Sequence, residues 1–341
     1  MIIQENVLLG QFTTFKIGGP ARFFCSVSNE HDLIEAVTYA RDKGLAIFVL
    51  GGGSNILIGD EGFGGLVIKI EMKGIQEEIT EGAGMRQISV AAGEQWDDFV
   101  HYAVERGLYG VENLSAIPGT VGAAPVQNIG AYGAEASQTI VSVHALDMRL
   151  MKFVDLDAAA CQFSYRDSLF KKEKGRYIIT RVTFSLDPSG RVNATYKDVL
   201  DYFTAKNIAT PSLADVREAV IDIRWGKLPD WKMWGTAGSF FKNPVITAEA
   251  FTALAARYPG LPGFPEVDGR IKVSLGWILD KVCNVKGLCK GNACVYEKQA
   301  LVLVTKPGAT SEEVVSLAHE LMRQVKEKTG IVIEGEVEWV N

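Results

Sequence analysis

Three short groups of polar residues stand in segments that are otherwise apolar, and their side chains could take part in chemistry. Residues 165–168, YRDS, follow residues 161–163, CQF, which predict a strand. Residues 238–244, GSFFKNP, place a serine among aromatic side chains, and residues 333–337, IEGEV, place acids in a strand predicted to be buried. An arginine can stabilise developing negative charge, and hydroxyl or carboxyl groups can transfer protons. Each group alone is ambiguous, because the arginine could form a structural ion pair and the serine could belong to a turn.

Glycine is concentrated in two regions. The 35 glycines among 341 residues exceed the usual share of about 7%. One cluster, residues 51–55 (GGGSN), directly follows the strand predicted at Ile47–Leu50. The other region, residues 114–133 (LSAIPGTVGAAPVQNIGAYG), is too apolar for an ordinary surface loop and too rich in glycine for a helix or strand. A backbone that wraps closely around a flat ligand would have this composition, and a tight internal connection is the alternative.

The element that follows the first glycine cluster argues against a Rossmann fold. A dinucleotide-binding βαβ unit needs a helix after its glycines, so that the helix N-terminus faces the pyrophosphate. Here the chain continues with Ile56-Leu57-Ile58, further glycines and the predicted strand Leu66–Ile70. A loop of consecutive backbone N–H groups can still bind phosphate without a helix.

Amphipathic patterns and capping residues predict the elements that position these groups. Helices are expected after Asn29, over Trp96–Glu105, from Ser212 onward, near Trp277 and, from a capping box at Thr310 and Glu313, over Ser311–Thr329. A last strand is predicted at Ile331–Ile333.

Length and charge limit the class of protein. A chain of 341 residues predicts two or three domains, and 35 basic against 41 acidic side chains argue against a dedicated nucleic-acid binder. No apolar run reaches the roughly 18 residues of a membrane span. Residues 1–6, MIIQEN, lack the features of a signal peptide. We therefore expect a cytoplasmic protein, without a membrane or nucleic-acid partner, that acts as a monomer.

The five cysteines favour incidental thiols. Their number is odd, and the spacing of Cys283, Cys289 and Cys294 matches neither zinc nor iron–sulfur patterns. The four histidines show no ligand spacing, so we expect no metal site. The G-x-S-x-G elbow and the P-loop motif are absent, so common hydrolase and nucleotide-triphosphatase mechanisms have no support.

In combination, these patterns resemble one enzyme family. The chain is similar to the UDP-N-acetylenolpyruvoylglucosamine reductases of peptidoglycan synthesis. Six segments carry the resemblance, in the family's order and over nearly the whole chain: TFKIGGPARF at 14–23, LGGGSNILI at 50–58, IPGTVGAAPVQNIGAYG at 117–133, YRDSLFK at 165–171, GSFFKNPV at 238–245 and GEVEWV at 335–340. The combination is specific, whereas the glycine loop alone would not be.

The resemblance implies an α+β protein with the FAD-binding fold of the vanillyl-alcohol-oxidase-like, or PCMH-type, class. Two FAD-binding domains would span residues 1–73, completed by 330–341, and 74–207, and a substrate-binding domain would span 208–329. FAD would be bound non-covalently. The residues expected to bind it are Gly51, Gly52, Gly53, Ser54, Asn55, Ile117, Pro118, Gly119, Thr120, Gly122, Ile129, Gly130, Ala131 and Tyr132.

The resemblance also implies the reaction. The family reduces an enolpyruvyl ether to a lactyl ether in two half-reactions, with NADPH as the hydride donor and FAD as the carrier. Arg166 would stabilise the enediolate that develops, Ser239 would donate the final proton, and Glu336 would act as an acid or share a proton. Glu334 is the rival carboxylate, but the sequence frame GEV favours Glu336.

For the sugar nucleotide, the resemblance implies Lys227 and Asn243 near the diphosphate and Gln299 in support. Tyr196 matches the tyrosine loop of the longer, type I branch, which folds over bound substrate. A packed turn residue is the alternative for Tyr196.

The chain departs from the family pattern at two places. Ala123-Ala124 stands where small hydroxyl residues are common, so a flavin hydrogen bond from these positions is not expected. Glu338 stands where a basic residue is common, so a phosphate or flavin contact from that side chain is not assumed.

Two other functions remain open at this point: a flavin oxidase of the same fold, and a flavin-storing protein without catalysis. The trio of Arg166, Ser239 and Glu336 argues against both, since neither function needs all three residues. The FAD segments also contain no obvious histidine or cysteine that would attach a flavin covalently.

Overall fold

A computed structural model describes residues 1–78 and 84–341 of the chain. The chain divides into two compact units. The first unit consists of residues 1–7, 21–53 and 64–226, and the second of residues 8–20, 54–63 and 227–341. The three domains expected from the sequence, with boundaries at residues 73, 207 and 329, stay a prediction.

The strands, in chain order, are β1 Gln4–Leu8, β2 Pro20–Val27, β3 Ile47–Leu50, β4 Ile56–Ile58, β5 Phe63–Ile70, β6 Ile75–Glu78, β7 Arg86–Ala91, β8 Gly130–Ala131, β9 Ala134–Glu135, β10 Ile140–Asp147, β11 Lys152–Asp157, β12 Tyr177–Leu186, β13 Val245–Ile246, β14 Gly263–Pro265, β15 Ile271–Val273, β16 Cys289–Lys290, β17 Ala293–Val295, β18 Leu303–Thr305 and β19 Glu338–Val340. The α-helices are α1 Glu30–Asp42, α2 Trp96–Glu105, α3 Leu169–Lys172, α4 Lys197–Lys206, α5 Leu213–Lys227, α6 Ala248–Arg257, α7 Leu275–Trp277 and α8 Ser311–Thr329.

The first unit is built on two sheets. One has the order β1-β2-β5-β3, in which β3 and β5 run parallel, and the other is an antiparallel sheet of order β11-β10-β12-β7-β6. Helix α1 begins at a cap, because the side chain of Asn29 accepts a hydrogen bond from the amide of Asp32, as the sequence predicts. The α+β fold class expected from the sequence is confirmed.

Helix α2 packs its apolar face into the core of the first unit. The ring centroids of Phe99 and Phe184, which lies on β12, are 4.6 Å apart, and Trp96 also contacts both rings. The indole Nε1 of Trp96 donates to the Leu114 carbonyl at 2.8 Å. This hydrogen bond fixes the start of the long glycine-rich segment to the helix that precedes it.

The second unit contains small sheets around helix α8. Its apolar residues Val314, Leu317, Leu321 and Val325 are fully buried. At the start of α8 the amide and hydroxyl of Ser311 both donate to the carboxylate of Asp60. Strand β19 pairs in parallel with β4, so Glu338–Val340 lies beside Ile56–Ile58.

Two strands predicted from the sequence are wrong. Residues Ile331–Ile333 form no strand; Ile331 and Ile333 are buried, and the strand lies further on, at β19. Glu336 is therefore half-buried in a bend before β19 rather than inside a buried strand. Residues 161–163 form a turn with Gln162 at a φ of 48°, not a strand. In both places short apolar runs fill core positions without a strand partner.

The cysteines also differ from the expectation of five thiols. Strands β16 and β17 form an antiparallel hairpin whose register places Cys289 opposite Cys294, and the two are joined by a disulfide with a Cα–Cα distance of 4.1 Å. Cys25, Cys161 and Cys283 are buried free thiols. Burial raises the pKa of the Cys25 thiol to about 11 and that of Cys161 to about 12, which keeps both protonated.

Within the described ranges, no helix has both the length and the apolar character needed to cross a bilayer. The same ranges contain no group of three or more histidine, cysteine or acidic side chains that could hold a metal ion.

The cap of helix α8 gives a first prediction. Thr310 accepts from the Glu313 amide, and Glu313 accepts in return from the Thr310 amide. We expect Thr310→Ala to lower the free energy of unfolding by about 1 kcal/mol, because the Glu313 amide at the start of the helix loses its acceptor. Urea unfolding measures the change. The control is Thr252→Ala inside α6, where the Thr252 hydroxyl donates to the Ala248 carbonyl of the same helix. This variant should have nearly the parent's free energy of unfolding. Equal losses of stability in both variants would contradict the prediction.

Candidate active site

The two glycine-rich regions of the first unit meet backbone against backbone. A Cβ atom on Gly52 would stand 2.6 Å from Cα of Gly119, and one on Gly51 would stand 2.7 Å from the hydroxyl oxygen of Thr120. Real Cβ atoms do not approach other atoms this closely, so Gly52, whose neighbour is backbone, must be glycine, whereas a Cβ on Gly51 would require the Thr120 side chain to move. The contact joins the loop after β3 to the segment 117–132, as expected if the two regions share a ligand.

Main-chain hydrogen bonds fix the first half of the segment 117–132. The Gly122 amide donates to the Ala92 carbonyl at 2.9 Å, and the Val121 amide donates to the Glu94 carbonyl at 2.9 Å. A Cβ on Gly122 would come within 2.5 Å of the Ala92 side chain. The segment therefore lies tightly against the turn between β7 and α2.

A carboxylate on α2 holds the residue that precedes this segment. Asp97 accepts from the Ala116 amide at 2.6 Å and from both terminal nitrogens of Arg217 at 2.6 and 2.9 Å. Burial opposes ionisation of Asp97, but the hydrogen bonds from Arg217 and from Ala116 outweigh it and lower the pKa of the carboxyl group. Arg224 donates to the Ala116 carbonyl at 3.2 Å, so the backbone N–H and the backbone C=O of Ala116 both have hydrogen-bond partners.

Arg166 sits at the tip of a tight turn, with a φ of 54°. Ser164 and Asp167 close the turn by exchanging main-chain hydrogen bonds of 3.0 and 3.1 Å. Nη2 of Arg166 donates to the Gly130 carbonyl at 2.6 Å. The turn is thereby attached to the second half of the segment 117–132.

Two further hydrogen bonds join the same turn to that segment. The hydroxyl of Ser168, which is fully buried, donates to the Val126 carbonyl at 2.6 Å, and the amide of Asn128 donates to the Ser164 carbonyl at 3.1 Å. Three hydrogen bonds, one of them from the guanidinium of Arg166, thus hold the turn against the glycine-rich segment of the first unit.

Ser239 and Glu336 belong to the second unit, on neighbouring stretches of main chain. Phe241 pairs with Gly335, and the Glu336 amide donates to the Phe240 carbonyl at 2.8 Å. On the other side, Ser239 pairs with Val302. The structure therefore brings Ser239 and Glu336 to adjacent positions through backbone hydrogen bonds.

Asn55, which lies in the second unit, is hydrogen-bonded to the stretch of that unit that carries Glu336. Its Nδ2 donates to the Glu336 carbonyl at 3.1 Å, and its carbonyl accepts from the Glu338 amide at 3.0 Å. Residues Ser54 and Asn55 are in the second unit, whereas Gly51–Gly53 are in the first.

Two of the residues predicted to bind substrate each lie beside helix α7 of the second unit. Asn243 Oδ1 accepts from the Leu275 amide at 3.0 Å. Gln299 Oε1 accepts from the Leu301 amide at 3.3 Å and stands 3.1 Å from the place of a Cβ on Gly276. Lys227 is the last residue of helix α5 and is exposed. The next residue, Leu228, packs against the buried cluster around Val302 in the second unit.

Tyr196 precedes helix α4 in the first unit, and its side chain is 44% exposed. Its ring meets that of Tyr132 edge to face, with centroids 5.5 Å apart. Burial raises the pKa of both phenols, so both stay protonated near neutral pH. The predicted substrate tyrosine thus contacts the last residue of the predicted flavin segment.

Comparisons with known proteins identify the family of the chain. Residues 21–150 match the family model of an FAD binding domain, and residues 230–340 match that of the UDP-N-acetylenolpyruvoylglucosamine reductase C-terminal domain. The reductase of Ralstonia nicotianae is 43% identical over 338 residues, covering 98% of each chain. That of Pseudomonas aeruginosa is 41% identical over 334 residues, also covering 98% of each chain.

The chain belongs to the UDP-N-acetylenolpyruvoylglucosamine reductase family. A crystal structure of the reductase from Thermus caldophilus has the same fold over 100% of both chains, with a TM-score of 0.68 and 25% identity. The FAD-domain match contains both glycine regions, and the C-terminal match contains Ser239 and Glu336. Arg166 and Tyr196 lie between the two ranges that match family models. Only the similarity to the full-length relatives covers these two residues.

The residues present in the first unit fit FAD. A pyrophosphate needs several N–H groups that it can approach without meeting side chains. Gly51–Gly53 supply such a stretch, and their close contact with Gly119 and Thr120 brings a second glycine-containing backbone to it. Within the described residues, no helix directly follows these glycines, so a Rossmann arrangement is absent at this loop, and the assignment of these residues to FAD stays a prediction.

Three residues that support the site were not predicted from the sequence. Asp97 and Arg224 hold the Ala116 peptide, and Asn113 contacts the carbonyl of Tyr132. The spacing of Asp97 within α2 and of Arg224 within α5 is typical of surface charges, and it carries no signal of a distant partner.

Asp97 gives a prediction for pH dependence. Because its folded pKa is lowered, its ionic contribution to stability is present above the unfolded pKa of about 3.9 and is lost as the pH falls through the folded value. We expect Asp97→Asn to lower the free energy of unfolding by up to about 1 kcal/mol at pH 7, since the carboxylate is partly exposed. The difference in the free energy of unfolding between Asp97→Asn and the parent should become smaller below about pH 4.

Urea unfolding at several pH values and the fraction of retained flavin measure this effect. Asp98→Asn is the matched control, because Asp98 lies in the same first turn of α2 and is exposed. A deficit of Asp97→Asn that does not change with pH, or that Asp98→Asn reproduces, would contradict the assignment.

Proposed function

We propose that the chain reduces UDP-N-acetylglucosamine enolpyruvate to UDP-N-acetylmuramate and that Arg166, Ser239 and Glu336 carry out this reaction. The observation that supports the activity is the match of the whole chain, at 41–43% identity, to reductases of this name. The protein is a flavin-dependent oxidoreductase of peptidoglycan synthesis. FAD, when bound, supplies the hydride-transfer chemistry that couples NADPH oxidation to reduction of the enolpyruvyl double bond.

The glycine regions are proposed to hold the cofactor. Backbone N–H groups of the loop 51–55 would bind the pyrophosphate, and the segment 117–132 would lie along the FAD. The contributing residues are Gly51, Gly52, Gly53, Ser54, Asn55, Ile117, Pro118, Gly119, Thr120, Gly122, Ile129, Gly130, Ala131 and Tyr132. The close approach of Gly52 to Gly119 supports this assignment.

Arg166 is proposed to stabilise charge on the substrate. When hydride adds to the terminal enolpyruvyl carbon, negative charge develops on the neighbouring carbon and spreads into the carboxylate as an enediolate. A guanidinium can meet such a group with two parallel hydrogen bonds. The bond from Nη2 to the Gly130 carbonyl supports the role, because it fixes the plane of the guanidinium before substrate arrives.

Ser239 and Glu336 are proposed to complete the reaction. The enediolate must receive a proton at carbon, and a hydroxyl can deliver it only if it points at that carbon and is then reprotonated. Glu336 would serve as the acid that stabilises the enediolate or shares its proton. The backbone pairing that places Glu336 one residue away from Ser239 supports a joint role.

The sugar nucleotide is proposed to contact Tyr196, Lys227, Asn243 and Gln299. The position of Asn243 beside Leu275 and of Gln299 beside Gly276, both in helix α7, supports a common region for these two amides. We further propose that the chain acts in the cytoplasm as a monomer, where both NADPH and the nucleotide substrate are soluble.

The Ser239 assignment gives a sharp prediction. Ser239→Ala should still allow NADPH to reduce the bound flavin near the parent rate, because that step needs no proton from Ser239. Reoxidation by UDP-N-acetylglucosamine enolpyruvate should fall by about 10²- to 10⁴-fold, since the carbanion loses its positioned acid. Rapid-mixing absorbance at the flavin band follows each step separately.

The same experiment tests the alternatives. Ser239→Cys should recover part of the rate, because a thiol is the stronger acid. If Ser239 were a turn residue, both half-reactions and FAD retention would fall together. Reoxidation of the parent by oxygen, but not by the enolpyruvyl substrate, would instead indicate a flavin oxidase.

Arg166 gives a prediction about charge geometry. Arg166→Ala should slow the substrate half-reaction by roughly 10²-fold or more, as expected for loss of a transition-state contact. Arg166→Lys should restore only part, because a point charge lacks the two-pronged geometry. Asp167→Asn, in the same turn, serves as the control and should stay close to the parent. Full activity in the lysine variant would mean that Arg166 is a structural cation.

A further inference from the structure

Asn113 connects two segments of the first unit that are far apart in sequence. Its side-chain Nδ2 donates to the Tyr132 carbonyl at 2.9 Å and to the Asn193 carbonyl at 2.9 Å, 19 and 80 residues away. The residue lies in a short 3₁₀ helix, Glu112–Leu114, and only 2% of it is exposed. One buried amide group therefore uses both of its N–H bonds to join the end of segment 117–132 to the loop before α4.

The first of these partners, Tyr132, is held through its backbone. Its backbone has a φ of 48°, and its carbonyl is bound by Asn113. Its phenol ring lies near the guanidinium of Arg224, which donates to the Ala116 carbonyl. The backbone of Tyr132 is therefore held in place, and the loop that carries Tyr196 can pack against its ring.

The second partner lies on the loop 190–196, which we call the tyrosine loop. Asn193 begins a small turn, in which its Oδ1 accepts from the Thr195 hydroxyl at 2.8 Å. Tyr196 follows, exposed to 44%, with its ring edge to face against Tyr132. The Asn113 hydrogen bond and this ring contact both attach the tyrosine loop to Tyr132.

We infer that Asn113 is a positioning residue that holds the tyrosine loop on the flavin segment in the arrangement that accepts the sugar nucleotide. The inference rests on the proposed function, since it takes Tyr196 as a substrate contact. Without the amide, two carbonyls would lose their donors in a buried place, and the loop would leave Tyr132 more often. Substrate would then have to restore the arrangement at the expense of binding free energy.

The kinetic prediction separates positioning from general damage. Asn113→Ala should raise KM for UDP-N-acetylglucosamine enolpyruvate about 10-fold, as expected for losing two hydrogen bonds, and leave NADPH reduction of the flavin within about twofold. Asn113→Asp, although equal in size, should do at least as much, because its carboxylate oxygens cannot donate to the two carbonyls. Parent-like KM in both variants would overturn the inference.

The loop can also be measured without turnover. Arg191 and Lys197 are exposed trypsin sites on either side of Asn193. In the FAD-loaded enzyme, cleavage at these sites should be about 10-fold faster in Asn113→Ala than in the parent, because proteolysis follows the open population. Ser115→Ala is the matched control: its hydroxyl is buried and donates to the Glu112 carbonyl, within the same turn. Faster cleavage in Ser115→Ala alone, or in neither variant, would also overturn the inference.

A double-mutant comparison distinguishes failure of the inference from failure of the proposed function. If Asn113 acts through the tyrosine loop, Asn113→Ala should change KM little in a Tyr196→Ala background. Fully additive effects on KM would refute the inference and leave the role of Tyr196 intact. A normal KM in Tyr196→Ala, combined with faster cleavage in Asn113→Ala, would instead refute the substrate role of Tyr196, and with it the stated purpose of Asn113.

Discussion

The close approach of the Gly51–Gly52 backbone to Gly119 and Thr120 is the constraint on which the first unit depends. With less than 3 Å to the place of a Cβ, no side chain fits between the two stretches of chain. The loop after β3 and the segment 117–132 therefore lie directly against each other at Gly52 and Gly119. Arg166 takes its position from that segment through Gly130. Glycine at position 52 is thus a condition for placing the two backbones together.

Main-chain hydrogen bonds position the proposed proton-transfer residues of the second unit. Ser239 lies on a stretch that pairs with Val302 on one side and, through Phe240 and Phe241, with Gly335 and Glu336 on the other. A residue fixed in this way keeps its place when its own side chain is changed. This is why substitution at Ser239 can report on chemistry rather than on folding.

Capping residues and apolar periodicity predicted the main helices. Features that depend on a partner far away in sequence could not be predicted. Helices α1, α2 and α8 follow from caps and apolar periodicity. The run Ile331–Ile333 is typical of a strand, yet it packs as isolated side chains because no neighbouring strand pairs with it. The Cys289–Cys294 disulfide follows from hairpin register, which cysteine counting does not contain. Arg166, Ser239 and Glu336 were predicted from the family resemblance. Asn113 was not predicted, because its two hydrogen-bond partners are 19 and 80 residues away in the sequence.

The parallel pairing of β19 with β4 has a consequence for biosynthesis. Asn55 and Glu336, which it helps to bring together, are 281 residues apart. At ordinary rates of translation the ribosome makes the second partner roughly 15 to 60 seconds after the first. Through that interval the nascent chain carries β4 as an open strand edge, the kind of surface that other chains can bind. The pairing of β4 can therefore form only after Glu338–Val340 has been made.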